Sequence, residues 1–152
     1  MKIKENFTIT CGIILEDVDT GKFLMCHPTN SAPNIWSIPK GYKDDNETLI
    51  KAAARELIEE TGIDITKIPF NIIEEFELLK YPNSTKHLKA FHFTIQAKSI
   101  KNTLICESMV HWKDKESFPE VDNHKWFTIN EILNLKITPT QRVVFERIQK
   151  KK

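Results

Sequence analysis

The sequence predicts a mixed domain of the α/β or α+β class, and three observations carry that prediction. Runs of β-branched and aromatic residues with two-residue alternation recur between turn signals, as in HLKAFHFTIQAK at 87–98. Between two such regions, 47–61 contains neither glycine nor proline and is rich in alanine, leucine and glutamate, good helix formers. Two further helices are announced near the C-terminus by Thr128 with Glu131 and by Thr138 with Pro139 and Gln141. Strand and helix patterns interleaved in this way pack as a sheet with helices against it.

Taken in order, Phe7 to Glu16 reads as a strand, Asp17 to Gly21 as a turn, and Lys22 to His27 as the returning strand of a hairpin. Pro28 and Pro33 mark a loop from His27 to Asn34. Ile35 to Ile38 is a short strand that breaks at Pro39 and turns at Gly41. The helix follows, with Asn46 or Asp45 as its N-cap and Gly62 as its left-handed stop. Leu49, Ala53 and Leu57 recur every fourth residue and give it an apolar stripe to lay on the sheet. After Pro69, a strand over 71–81 and a turn at 82–85 lead back into 87–98. The stretch 104–121 has no regular pattern; Trp112 and Phe118 are its packing candidates. A short strand at 125–127 precedes the two C-terminal helices, the second turning Val144, Phe145 and Ile148 inward.

At 152 residues and 40% hydrophobic, residues 1–152 are expected to form one domain with a substantial core. With 22 basic against 21 acidic residues the net charge is +1, which excludes a strongly basic nucleic-acid surface by composition. The final Gln149-Lys150-Lys151-Lys152 reads as a solvated end. Cys11, Cys26 and Cys106 are widely spaced and form no CxxC pair, as expected of reduced thiols in a cytoplasmic protein. No segment approaches membrane-spanning length and residues 1–6 lack an apolar signal region, so no membrane partner is expected.

The helix carries the chemistry. Glu56, Glu59 and Glu60 stand at i, i+3 and i+4 and gather along one edge. No lysine follows within the next four residues to offset them, so an external cation is the natural neutraliser. Mg²⁺ fits, because it takes oxygen ligands from a few carboxylates and shares the rest with water and phosphate. Arg55, one turn before Glu59, can orient carboxylates by charge-assisted bonds. Gly41 lets backbone approach a metal or phosphate closely, and Lys40 beside it suits a phosphate as a point charge.

Written out, Gly41 to Ile63 is G-x5-E-x7-R-E-(apolar)-x-E-E-x-G-(apolar), with every specified position filled. Seven fixed identities at roughly 6–7% each coincide by chance about once in 10⁸ positions. The segment resembles the Nudix box, the signature of hydrolases that cut diphosphate linkages in nucleoside diphosphates joined to another group. The resemblance implies a Nudix-type α/β/α sandwich with a mixed central sheet. It also implies that Glu56, Glu59 and Glu60 bind Mg²⁺ or Mn²⁺ and activate water. Glu47 and Arg55 would brace them, the Gly41 carbonyl would be a further ligand, and Gly62 would end the helix. An extra carboxylate outside the box often assists in such enzymes, and Glu120, six residues before Trp126, is the candidate, with Asp122 its competitor.

Substrate choice lies outside the box. The lead-in Trp36-Ser37-Ile38-Pro39-Lys40-Gly41 is similar to that of diadenosine polyphosphate hydrolases, RNA pyrophosphohydrolases and decapping enzymes. A tyrosine about eighteen residues past the box is associated with dinucleoside polyphosphate hydrolases, and Tyr81 occupies that place. ADP-ribose hydrolases tend to carry a proline near fifteen or sixteen residues past the box, where Leu78 and Leu79 stand here. The resemblance therefore points to an Ap4A-like substrate, and the residues themselves suggest its holders: Tyr81 to stack on a base, Lys40, Lys86 and His87 to meet phosphates, and Trp36 and Phe91 as rings for either recognition or packing. Removal of pyrophosphate from an RNA 5′ end, hydrolysis of ADP-ribose or nucleoside triphosphates, and a non-catalytic nucleotide sensor are the alternatives.

Overall fold

A computed structural model describes residues 8–111 and 116–152. Two parallel strands, β1 (Thr8–Asp17) and β6 (Lys86–Ile95), lie side by side at the centre of a seven-stranded sheet, in register from Thr8 opposite Lys86 to Asp17 opposite Ile95. The remaining strands pair antiparallel. β2 (Lys22–Pro28) returns from β1 and pairs onward with β9 (Val121–Phe127) at one edge. β4 (Asn71–Glu75) forms the other edge, β3 (Lys40–Tyr42) pairs with the first half of β1, and β5 (Leu79–Lys80) with the start of β6. A separate two-stranded ladder joins β7 (Met109–Val110) to β8 (Phe118–Pro119).

Alternation along β1 explains the layers. Cys11, Ile13 and Leu15 point to one face, where Ala52, Ala53 and Leu57 of α1 (Leu49–Thr61) cover them. Ile14 points to the other, among Ile132 of α2 (Ile129–Leu133) and Val144, Phe145 and Ile148 of α3 (Pro139–Lys150). A sheet buried on both faces reads as a continuous apolar run, as TCGIIL does in β1. The result is the helix–sheet–helix sandwich expected from the resemblance. Burial of a side chain such as Phe23 or Leu57 contributes about 1.5–3 kcal/mol.

Local departures from the sequence reading have physical causes. The N-cap of α1 is Thr48, whose hydroxyl accepts from the Lys51 N–H, and neither Asn46 nor Asp45. Asn46 instead takes a left-handed turn conformation at φ 66°. Gly62 ends the helix at φ 79°, its N–H reaching the Ile58 carbonyl. Gly41 lies within β3, opposite Cys11, and not at a turn. Ile35 to Ile38 makes only isolated bridges, from Ser37 to Cys26 and from Ile35 to Lys136. The strand expected over 71–81 is two strands, interrupted where buried Phe76 turns into the core. Thr128 and Glu131 form the expected capping box, but Gln141 does not cap α3. Its buried amide instead accepts from the Ile38 N–H and donates to Ser37 Oγ, tying the lead-in segment to the C-terminal helix. Phe118 is half-buried in β8, whereas Phe7 and Trp112 lie outside the described residues. Cys11 and Cys26 are buried, Cys106 is half-buried, and all three are free thiols. Among the described residues no helix is long and apolar enough to cross a membrane.

Candidate active site

The site is built where α1 passes the β3 segment. α1 is fixed by its alanine and leucine face on the sheet, so the opposite edge, carrying Arg55, Glu56, Glu59 and Glu60, faces a cleft of about 460 Å³. Lys40, Gly41 and Tyr42 of β3, Lys86 of β6 and Glu120 before β9 complete its functional lining. Thus eight of the residues singled out from sequence (Lys40, Gly41, Arg55, Glu56, Glu59, Glu60, Lys86 and Glu120) converge on one cleft.

Arg55 is the hub of the acids. Its Nε and Nη2 grip Glu47 at 2.8 and 3.0 Å, a bidentate pair, while Nη1 donates to both Glu56 and Glu59 at 3.0 Å. Nη2 also donates to the Tyr42 carbonyl at 2.9 Å, which pins β3 to the helix. The bond from Arg55 holds the Glu47 carboxyl below the usual range, and Glu47 in turn accepts from the Asp44 N–H. Glu47 therefore stands behind the arginine as its support, outside the cleft lining.

Glu56 and Glu60 are only 6% and 7% exposed. Burial, joined by the charge of Glu59, pushes Glu56 up to about 7. Burial pushes Glu60 up to about 8, although the Lys40 N–H donates to its Oε1 at 3.1 Å. Such acids are short of positive charge, which a hard cation would supply. Gly41 lies against the Glu56 carboxylate, and a Cβ there would overlap all three atoms of that group. Among the described residues, no three acid, thiol or imidazole groups already converge as a ready ligand set. Arg55 Nη1 donates to Oε1 of both Glu56 and Glu59, which leaves the Oε2 atom of each carboxylate outside these two bonds. An all-oxygen donor set, with Glu56 and Glu60 buried, Glu59 half-buried and Glu120 exposed, backed by Gly41, fits a hard divalent ion.

The substrate-side residues divide. Lys86 is half-buried, with Nζ 4.7 Å from the Tyr81 ring and 5.3 Å from the Tyr42 ring. Burial and the neighbouring charge of Lys40 hold its ammonium below the usual range. Tyr81 is outside the cleft lining: it packs partly buried against the core, and its ring and hydroxyl touch two lining residues, Lys86 and Thr10 (Oγ1 at 3.4 Å). Trp36, in contrast, is buried against Phe127 and His27 with its indole N–H on the Pro33 carbonyl. Phe91 is buried beneath α1 beside Phe93. Neither ring lines the cleft: Phe91 is turned by its strand onto the face beneath α1, and Trp36 is held among His27, Phe127 and the Pro33 carbonyl. His87 is also outside the lining and sits 3.0 Å from the Thr85 carbonyl. Asp122, the competitor of Glu120, is committed to His27 at 2.6 Å and to the Asn30 N–H. Sequence reasoning missed Thr10, Tyr42 and Asp44 in the lining. Tyr42 was within reach, since it directly follows Lys40-Gly41.

The sequence profile of the NUDIX domain matches residues 6–148. The chain belongs to the Nudix family. Phosphatase NudJ of Escherichia coli K12 is 33% identical over 130 residues, covering 86% of this chain and 72% of that protein. A C. elegans Ap4A hydrolase binary complex superposes with TM-score 0.69 and 20% identity, covering 92% of this chain and 95% of that one. The E. coli dihydroneopterin triphosphate pyrophosphohydrolase gives TM-score 0.63 at 19% identity, over 93% and 95%. At that identity the two structures establish the fold alone. Nudix membership carries the reaction class, hydrolysis of phosphoanhydride bonds in nucleotide substrates, and Nudix hydrolases generally use divalent metals.

Proposed function

We propose that the chain is a Mg²⁺- or Mn²⁺-dependent pyrophosphohydrolase of nucleoside polyphosphates. The observation that carries this reading is the make-up of the cleft: the carboxylates of Glu56, Glu59 and Glu60 and a lysine pair, Lys40 and Lys86, line the same space. Such a cleft suits a phosphate chain whose anhydride lies over the acids while its remaining phosphates meet the lysines. Glu56, Glu59, Glu60, Glu120 and the Gly41 carbonyl would hold the cation. When bound, it neutralises phosphate oxygens and acidifies a water. One of these carboxylates takes the proton of the attacking water, and Arg55, braced by Glu47, keeps the others oriented. Lys40 and Lys86 hold non-reacting phosphates in line for attack.

Dinucleoside polyphosphates are the preferred substrate, on the placement of Tyr81 and Lys86. Nucleoside triphosphates are the second reading. The cleft measures about 460 Å³, and Tyr42, which lines it and is 57% exposed, is the ring available to a single base. The test incubates the protein with Mg²⁺ or Mn²⁺ and Ap4A, ATP, ADP-ribose or 5′-triphosphate RNA, and identifies products by chromatography. Cation-dependent cleavage of an anhydride bond in Ap4A, exceeding that of ATP, is expected. Preference for ATP selects the second reading, and no cleavage of any of the four overturns both.

A further inference from the structure

The stretch 104–121, unreadable as a pattern, contributes more to the site than Glu120 alone. Its first part lies along the C-terminal end of α1, where helix carbonyls lack intrahelical partners. Ile105 N–H donates to the Thr61 carbonyl at 3.0 Å, and Glu107 and Ser108 N–H both donate to the Glu59 carbonyl, at 2.6 and 3.2 Å. Ser108 is the residue at which this clasp meets the outlying acid. Its carbonyl accepts from the Glu120 N–H at 3.0 Å, and its hydroxyl donates to Glu120 Oε2 at 3.3 Å. Cys106 Sγ stands 3.4 Å from both the carbonyl and the hydroxyl of Ser108. With the Ser108 proton committed to a carboxylate that only accepts, the thiol is the donor to Ser108.

We propose that Ser108 is a positioning residue that couples Glu120 to the carboxylate helix. This rests on the assignment of Glu120 to the cation or the attacking water. Glu120 is on an exposed segment, where a carboxylate samples several rotamers. The Ser108 hydroxyl selects the rotamer in which Oε2 is held and Oε1 is left to the cleft. The same serine grips the backbone of Glu59, so Glu120 is registered against α1 and not against the loop alone. Its partner Thr29 N–H, on the Glu120 carbonyl at 3.0 Å, fixes the backbone from the other side.

Ser108→Ala removes the hydroxyl and leaves both backbone bonds. Partners that orient ligands are worth about 10–100-fold in metal affinity or activity. Ser108→Ala is therefore expected to weaken Mn²⁺ binding by about 10–100-fold, read by electron paramagnetic resonance with Mn²⁺ alone. On the best substrate kcat should fall by a similar factor with KM little changed. The double variant Ser108→Ala/Glu120→Gln should be no worse than Glu120→Gln, because the hydroxyl acts through that carboxylate. Wild-type Mn²⁺ affinity and kcat in Ser108→Ala, with Glu120→Gln impaired, overturn the proposal. Losses that multiply in the double variant overturn it too. Wild-type behaviour of Glu120→Gln would instead remove the assignment of Glu120 itself.

Discussion

Gly41→Ala perturbs the site with a single methyl group. Gly41 is not in the left-handed region, so its backbone tolerates alanine, and it sits in the ladder opposite Cys11. The new Cβ would lie more than about 1 Å inside contact distance of Cδ and both oxygens of Glu56. The carboxylate is the end of a flexible side chain and can withdraw. Withdrawal lengthens its 3.0 Å bond to Arg55 and removes it from its place beside β3. A misplacement of about 1 Å costs roughly 10²-fold in rate, or about 2.7 kcal/mol of transition-state stabilisation. The assay is steady-state kcat at saturating Mg²⁺, with thermal unfolding in parallel. The expected outcome is a drop of about 100-fold with Tm moved by no more than about 4 °C, the equivalent of roughly 1 kcal/mol. Wild-type kcat in a folded Gly41→Ala protein would refute the reasoning.

Two further outcomes follow from other parts of the structure. Burial raises Glu16, but bonds from His92 at 2.8 Å and Lys152 at 2.6 Å outweigh it and hold the carboxyl below its ordinary value. Glu74 and Lys151 also line the space beside it. A depressed acid contributes stability above its unfolded pKa near 4.5 that is lost as pH falls through the folded value. Glu16→Gln should therefore lower stability by about 2 kcal/mol at pH 7, and the gap should shrink in thermal melts as the pH is taken below 4.5, toward the lowered folded value. A gap that does not change with pH would sink the ion-pair account. For Tyr81→Ala, KM should rise more for Ap4A than for ATP; equal rises would make Tyr81 a packing residue that only steadies Lys86 and Thr10.

Legibility in the sequence tracked the range of the interaction. The Gly62 stop of the box helix, the Thr128 capping box and the β1–β2 hairpin depend on neighbours within a few residues and are present; the box helix is present too, with a later start. Thr48 displaced Asn46 and Asp45 as cap because Asp45, Asn46 and Thr48, within four positions, satisfy the same local rule, and the left-handed Asn46 decides among them. Gln141 shows the limit of a motif. Its capping-box spacing was present, yet two donor–acceptor demands on Ile38 and Ser37, about a hundred residues away, took the side chain. Trp36 and Phe91 failed for a related reason, since residue type announces an aromatic ring but not which face it takes. Among the described residues of the stretch 104–121, Ile105, Glu107 and Ser108 bond to carbonyls of α1 and the only ladder is two residues long, so these segments carry no periodicity to be read.

The central claim is that the box carboxylates drive hydrolysis by holding a divalent cation. Turnover of the best substrate by Glu59→Gln and Glu60→Gln, each isosteric and each compared with wild type across a Mg²⁺ titration, tests it most directly. The account predicts losses of at least about two orders of magnitude in kcat, with both proteins folded. Unchanged turnover and unchanged Mg²⁺ dependence in both variants would contradict it.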